Sequence, residues 1–172
     1  MFIRDANSGD TRAILSLVAR AFEAEGNFYK GEIVQSVLVN ELLKDGHDVV
    51  NLVAEDSEVL GHVFVSPVFL EPDPGLACGQ VSPLAVLPEA QSRGIGSALM
   101  RAVVEKSREV GLDALFLLGN PDYYGTFGFA ASKVRSAYGP SPYFQELELK
   151  SGCLETADVH VHLAPAFTRL GL

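Results

Sequence analysis

The chain has few cysteines: Cys78 and Cys153 are the two it carries in 172 residues. That count excludes a disulfide framework, and neither cysteine sits in a Cys-x-x-Cys pair or a Cys/His cluster with zinc-ligand spacing. Both are read as reduced thiols of a cytoplasmic protein. Basic side chains are also in deficit, with 13 Lys and Arg against 22 Asp and Glu and a formal net charge of −9. A surface of that sign repels phosphate backbones and anionic lipid, so the reading assigns no nucleic-acid and no membrane partner. No apolar run nears the roughly 18 residues that a membrane span needs. The opening MFIRDANSGD lacks the basic flank and apolar core of a signal peptide, so none is expected. There is no internal repeat, low-complexity tract or Gly/Pro/Ser linker. What remains is a soluble acidic chain, long enough to bury a core and read as one domain over 1–172.

Hydrophobic periodicity sets out the elements. Residues 2–5 read as an opening strand, and Ile14, Leu17, Val18, Ala21 and Phe22 recur at helical spacing after the turn-like NSGD. Val34, Val37, Leu38 and Leu42 mark a second helix ending near Gly46. Strands are predicted at 49–55, 59–69 and 77–87, the first two joined by Asp56–Ser57–Glu58. A helix with Ile95, Ala98, Leu99, Ala102 and Val103 on one face runs to Gly111, and 113–118 reads as a buried strand. Asn120 and Pro121 break that strand, and a short helix or turn follows to Phe127. Later strands are expected at 129–134, 144–149 and 157–163. The order gives an α/β (α+β) fold with a mixed sheet, antiparallel in its three-strand meander and parallel in its strand–helix–strand unit.

The segment Gln91-Ser-Arg-Gly-Ile-Gly-Ser97 lies between a strand and an amphipathic helix. Two glycines at a helix start let the backbone approach an anion, and the orphan N–H groups and the helix dipole favour negative charge there. Residues 91–110 hold four basic side chains, Arg93, Arg101, Lys106 and Arg108, against Glu105 and Glu109. A local basic spot in an acidic protein suits an anionic ligand. The same two glycines would also serve a plain strand-to-helix turn. A nucleotide P-loop is excluded by the missing Gly-Lys-Ser/Thr. A dinucleotide loop is disfavoured, because its third glycine falls at Leu99.

Gln91-x-x-Gly94-x-Gly96 resembles the Gln/Arg-x-x-Gly-x-Gly/Ala signature of the GNAT superfamily of N-acetyltransferases, and lies where that family has it. Pro-Leu-Ala-Val-Leu-Pro at 83–88 resembles the family's fourth strand, and Tyr124-Gly-Thr-Phe-Gly128-Phe129 its Tyr-x-x-x-Gly-Phe segment. The resemblance runs from Phe2 to about Leu163. Small bacterial predicted acetyltransferases share two further elements, matched here by Asp122-Tyr-Tyr-Gly125 and Tyr143-Phe-Gln-Glu-Leu-Glu-Leu149.

The resemblance implies a GNAT fold, with a mixed central sheet, a splayed parallel strand pair and flanking helices. It implies acetyl-CoA as cosubstrate, no metal, and acetyl transfer to a primary amine of a small molecule or protein by direct attack in a ternary complex. The alternative is a non-catalytic acetyl-CoA-binding sensor of the same fold. On the family pattern the backbone of Leu84, Ala85 and Val86 pairs with the pantetheine arm. Gln91, Ser92, Arg93 and Gly94, with the amides of Ile95, Gly96 and Ser97, hold the pyrophosphate, and Asn120 adds a cofactor contact. Pro83 gives a physical reason for the splay, since it has no N–H to donate to a ladder. The family places Tyr124 beside the sulfur, as general acid for the leaving thiolate. The general base stays open among Glu23, Glu25, Glu32, His62 and water. His62 and Ser66 share a strand face, and a hydrogen-bonded histidine of the fold is the competing reading for His62. His160 and His162 share another face with nothing to complete a metal site. Cys78 has no basic neighbour in sequence and is read as structural. A strand near the C-terminus offers a pairing edge for a homodimer.

Overall fold

The computed structural model describes residues 1–155 and 158–172. The chain opens with β1 (Phe2–Asp5) and turns into α1 (Thr11–Phe22) through a capping box. Asn7 Oδ1 accepts the Gly9 N–H, and the Asp10 carboxylate accepts the Asn7 N–H. Arg4 donates to both Asp10 oxygens at 2.7 and 2.9 Å. That pairing holds the Asp10 carboxyl down at about 2. Ile14, Leu17 and Val18 of α1 are buried at helical spacing.

A small hairpin, β2 (Phe28–Tyr29) and β3 (Glu32–Ile33), precedes α2 (Val34–Lys44). An antiparallel meander follows: β4 (Val50–Glu55), β5 (Val59–Glu71) and β6 (Cys78–Val86). Next come α3 (Ile95–Glu109), β7 (Ala114–Leu118), and the single turn α4 (Pro121–Tyr124). The chain continues through β8 (Ala130–Ala131), β9 (Arg135–Ser136), β10 (Phe144–Glu148), β11 (His160–Leu163) and α5 (Pro165–Arg169). The sheet order is β1-β4-β5-β6-β7-β10-β8, and β11 adds to β5 beyond the end of β4. The strand predicted at 129–134 shrinks to two residues in β8, because only Ala130 and Ala131 find a partner on β10. Position 157, the predicted start of the last strand, lies outside the described residues. The pairs β2–β3 and β9–β11 and the helix α5 have no forerunner in the sequence reading.

One face of the sheet carries α3, and the other carries α1, with α2 packed against α1. A Cβ at Gly61 would meet Leu99 and Ile95, so that side of β5 faces α3. By alternation His62, Phe64 and Ser66 face α1 and α2. The two packed layers share one buried cluster that runs from Ile14 and Leu38 to Leu99 and Val103.

The decisive feature for the site is where β6 and β7 part. They run parallel and pair only at Cys78–Ala114, Gly79–Leu115 and Gln80–Phe116. β6 then continues to Val86 without a partner on that side. On its other side, Phe64 of β5 faces both Ser82 and Pro83, a bulge between the Val63–Leu84 and Val65–Val81 pairs. An extra residue bends the bulged strand and increases its twist. The bend falls at the predicted proline, and it carries β6 away from β7.

Candidate active site

Two cavities lie along the open edge of β6, and one more lies against α3. The first, about 200 Å³, is lined by Val86, Gln91, Ser92, Gly94, Ser97 and Tyr123. Here the chain leaves β6, makes a 3-10 turn at Pro88–Ala90, and enters α3. Gly94 takes φ +82° and Ser92 φ +61°, two left-handed positions that turn the backbone back on itself. The first helical hydrogen bond runs from Ala98 N–H to Gly94 O at 3.0 Å, and no side chain caps the helix start. The amides of Ile95, Gly96 and Ser97 are therefore left pointing out of the helix end. Ile95 contributes only its amide, because its side chain is buried in the core. Gln91 donates from Nε2 to Val86 O at 3.1 Å, so its side chain ties the loop to the strand. Arg93 is exposed at the loop tip, outside the cavity lining.

A second cavity, about 510 Å³, adjoins on the outer face of α3, lined by Ser97, Arg101, Arg108, Thr126 and Phe127. Arg101 lies over the Phe127 ring, 6.0 Å from its centroid. Arg108 pairs loosely with Glu105 at 3.7 Å.

The third, about 490 Å³, opens between the splayed strands toward α1 and α2. Its floor is Gln80, Ser82, Pro83 and Leu84 of β6 with Leu118 of β7. Phe22, Glu25, Gln35 and Leu38 form one wall, and Tyr138 and Phe167 another. Tyr124, at the end of α4, also lines the gap. A Cβ at Gly119 would overlap the Tyr124 ring, so glycine there lets the ring lie against the end of β7. The ring packs edge-on against Tyr123 and Phe129 at 4.9 and 6.3 Å. Burial, with Tyr123 as a lesser cause, pushes the Tyr124 phenol up to about 12. It stays protonated at any working pH, which is the state a proton donor needs.

The other expected residues divide. Leu84, Ala85 and Val86 lie on the stretch of β6 that has no partner on the β7 side. Asn120 is a helix cap and not a cavity residue. Its side chain accepts the Asp122 N–H at 2.9 Å at the start of α4, and it lines none of the three cavities. Among the base candidates Glu25 alone lines the strand gap. Glu23 and Glu32 are exposed and outside its lining. Of the two readings of His62, the structure supports the hydrogen-bonded histidine of the fold and removes His62 from the base candidates. His62 is fully buried, and its Nε2 meets Asn51 Oδ1 at 2.8 Å. Burial drives its imidazole down to about 3, so it sits neutral in the core. Cys78 is buried with its thiol pushed up to about 12, chiefly by burial, which suits a structural role. His162 lies 3.3 Å from Glu71. No cluster of three or more metal-ligating side chains occurs among the described residues.

A helix start stripped of caps, an open strand edge and a tyrosine over a strand gap agree with the family comparison, in which residues 12–129 match the acetyltransferase (GNAT) family. The chain belongs to that family. It is 32% identical over 131 residues to the uncharacterized N-acetyltransferase YhbS of Escherichia coli, covering 75% of this chain and 73% of that one. The uncharacterized N-acetyltransferase YjhQ of the same organism is 30% identical over 138 residues, covering 80% of this chain and 73% of that one. The crystal structure of E. coli YhbS in complex with CoA superposes with a TM-score of 0.88 at 29% identity, covering 99% of this chain and 93% of that one. A GNAT acetyltransferase from Brucella melitensis in complex with acetyl-CoA gives 0.79 at 28% identity, covering 96% and 97%.

Within this GNAT fold, sequence reasoning missed Tyr123 as a cradle residue, and Gln80, Tyr138 and Phe167 in the strand gap. Tyr123 was adjacent to a named residue and within reach of the motif. The other three come from separate elements, and no local spacing links them. Arg101 and Arg108 were counted for charge, although their seven-residue separation already placed them on one helix face.

Proposed function

We propose that the protein transfers the acetyl group of acetyl-CoA to a primary amine. The observation that carries this is the open edge of β6, which runs unpaired from the uncapped start of α3 to the gap beneath Tyr124. Each part of acetyl-CoA has a matching surface. The pyrophosphate suits the amides of Ile95, Gly96 and Ser97, where orphan N–H groups and the helix dipole attract anions. The nucleotide phosphate beyond it suits Arg101 and Arg108. The pantetheine amides suit the β6 edge at Leu84 to Val86, as an added strand would. The thioester then lies in the gap.

Transfer forms one C–N bond and breaks one C–S bond. The neutral amine attacks the carbonyl carbon, and a free backbone N–H of β6 past the bulge stabilises the developing oxyanion. The tetrahedral intermediate collapses with loss of the thiolate, which takes the phenol proton of Tyr124. The proton the ammonium loses before attack goes to water or to the Glu25 carboxylate, and the one the nitrogen loses after attack restores the Tyr124 phenol by way of water. Holding both substrates in one cavity supplies the rest of the acceleration.

The test is a thermal titration with acetyl-CoA beside NAD and ATP, followed by coenzyme A release with a panel of amines. At a hundredfold excess over its dissociation constant, acetyl-CoA should stabilise the fold by about 2.7 kcal/mol, and NAD should not. Stabilisation without amine-dependent release would reduce the protein to an acetyl-CoA-binding sensor. No stabilisation would remove the proposal altogether.

A further inference from the structure

The cavity in the strand gap takes its charge from one side chain. Among the side chains of the described residues that line it, that of Glu25 is the sole charged one, and no Lys, Arg or His is present. Its walls carry rings, from Phe22 on one side and Tyr138 and Phe167 on the other. The Tyr138 ring is backed by Phe144 at 5.4 Å, and Phe144 stacks on Phe116 at 5.6 Å, so that wall is fixed by the core. The floor is polar and unspent. Gln80 is 2% exposed, and its side-chain carbonyl oxygen has no protein partner. Ser66, opposite Gln80 in the β5–β6 register, leaves its buried hydroxyl equally unpaired. Gln35 donates to Glu25 at 3.4 Å and leaves its own carbonyl oxygen without a partner. The cavity thus offers a carboxylate, two amide groups with unpaired oxygens, and aromatic walls, with no cation to compete for them.

We infer that the acceptor is a small primary amine that arrives as a single cation on an apolar, ring-sized body and carries no carboxylate. This rests on the acetyltransferase reading above and names the substrate class of the same site. An ammonium has three donors and no acceptor, the complement of this lining. Aromatic faces attract it further. A carboxylate on the acceptor would be stripped of water against apolar walls, beside a like charge and without a partner, which is expensive. A second ammonium, as in a polyamine, would find no second carboxylate side chain in the lining. The volume of about 490 Å³ suits a small ligand.

The experiment uses the full chain and four probes: phenethylamine, phenylalanine, glutamate and spermidine. Binding is read by calorimetry on the protein loaded with coenzyme A, and turnover by thiol release from acetyl-CoA. Phenethylamine should bind at least tenfold more tightly than each of the other three. Glu25→Gln, at an exposed position, should weaken phenethylamine at least tenfold and leave coenzyme A affinity unchanged. Gln80→Leu should weaken phenethylamine as well; if that variant does not fold, Glu25→Gln decides. Equal or better binding of phenylalanine, glutamate or spermidine overturns the inference. So does an undiminished preference in Glu25→Gln, or failure of all four probes to bind. Phenethylamine binding without thiol release would sink the acetyltransferase reading and leave the acceptor class standing. Thiol release that favours glutamate would do the reverse.

Discussion

Tyr124 and His62 are both buried titratable groups, and burial moves them in opposite directions because it penalises whichever form is charged. For Tyr124 the charged form is the phenolate, so the phenol is held protonated to about 12. Tyr124→Phe keeps the ring against Gly119 and removes only the hydroxyl. If that hydroxyl protonates the leaving thiolate, kcat should fall about 10²-fold while acetyl-CoA affinity barely moves. The wild-type rate should show no phenol-dependent alkaline limb below about pH 11, given the raised phenol. Wild-type kcat in Tyr124→Phe would return thiolate protonation to water. For His62 the charged form is the imidazolium, and the native state refuses the proton down to about 3. The unfolded chain accepts it near pH 6.5. His62 therefore contributes its full stability above about pH 6.5 and loses it toward pH 3, by about 1.4 kcal/mol per pH unit. Asp10, held down by Arg4, adds a loss in the same direction only below about pH 3.9, toward its native value of about 2. His62→Gln cannot titrate, so its urea-unfolding free energy between pH 6.5 and 4.5 should fall less steeply by that amount. Identical slopes would show that His62 is protonated in the fold.

The loop into α3 was the most legible element, because its chemistry is local: Gly94, Gly96 and the following apolar periodicity lie within one short stretch. The structure gives Gly94 a conformational reason to be glycine. A Cβ there meets no protein atom within 4 Å, so within the protein itself the requirement is the φ of +82°. Gly94→Val should therefore displace the loop and cost acetyl-CoA at least tenfold in affinity, about 1.4 kcal/mol. Gly94→Asn, which tolerates the left-handed region, should recover part of it. Calorimetry on both variants checks this, and equal affinities would mean that the loop conformation does not hold the ligand. Arg93 is exposed, so any contribution to phosphate binding is screened. Arg93→Ala should flatten the salt dependence of acetyl-CoA binding more than it weakens binding at high salt. Isotherms at low and high salt decide, and a parallel salt dependence returns Arg93 to the solvated surface. The long helices and strands were legible for the same reason as the loop, since Ile14–Leu17–Val18 or Leu99–Val103 carry their period in sequence. The pairs β2–β3 and β9–β11 are two-residue contacts fixed by what packs around them, and no period can announce them.

At the scale of the molecule, the bulge at Ser82–Pro83 makes one strand serve two surfaces. The anion cradle lies at the start of α3, and the strand-gap cavity opens toward α1 and α2. The sequence showed the proline and the cradle but not this division, because the acceptor wall is assembled from α1, α2, α5 and the segment around Tyr138. On the proposed function both substrates are held together in the gap, and the chemistry then needs no acetyl-enzyme. The residues support that route. No cysteine, lysine or histidine lines the strand gap among the described residues. Cys78, the buried thiol, is held protonated by burial to about 12, which withholds the thiolate that a nucleophile requires. Initial rates with both substrates varied should give intersecting double-reciprocal lines, not the parallel lines of a ping-pong scheme. The same conclusion is open to a direct check. Protein mixed with acetyl-CoA and no amine should show no acetyl adduct by intact-mass spectrometry, and Cys78→Ala should keep its kcat. A stoichiometric adduct that disappears when amine is added would replace direct attack with a covalent intermediate, and would turn the search for a nucleophile to the Ser82 and Tyr124 hydroxyls of the lining.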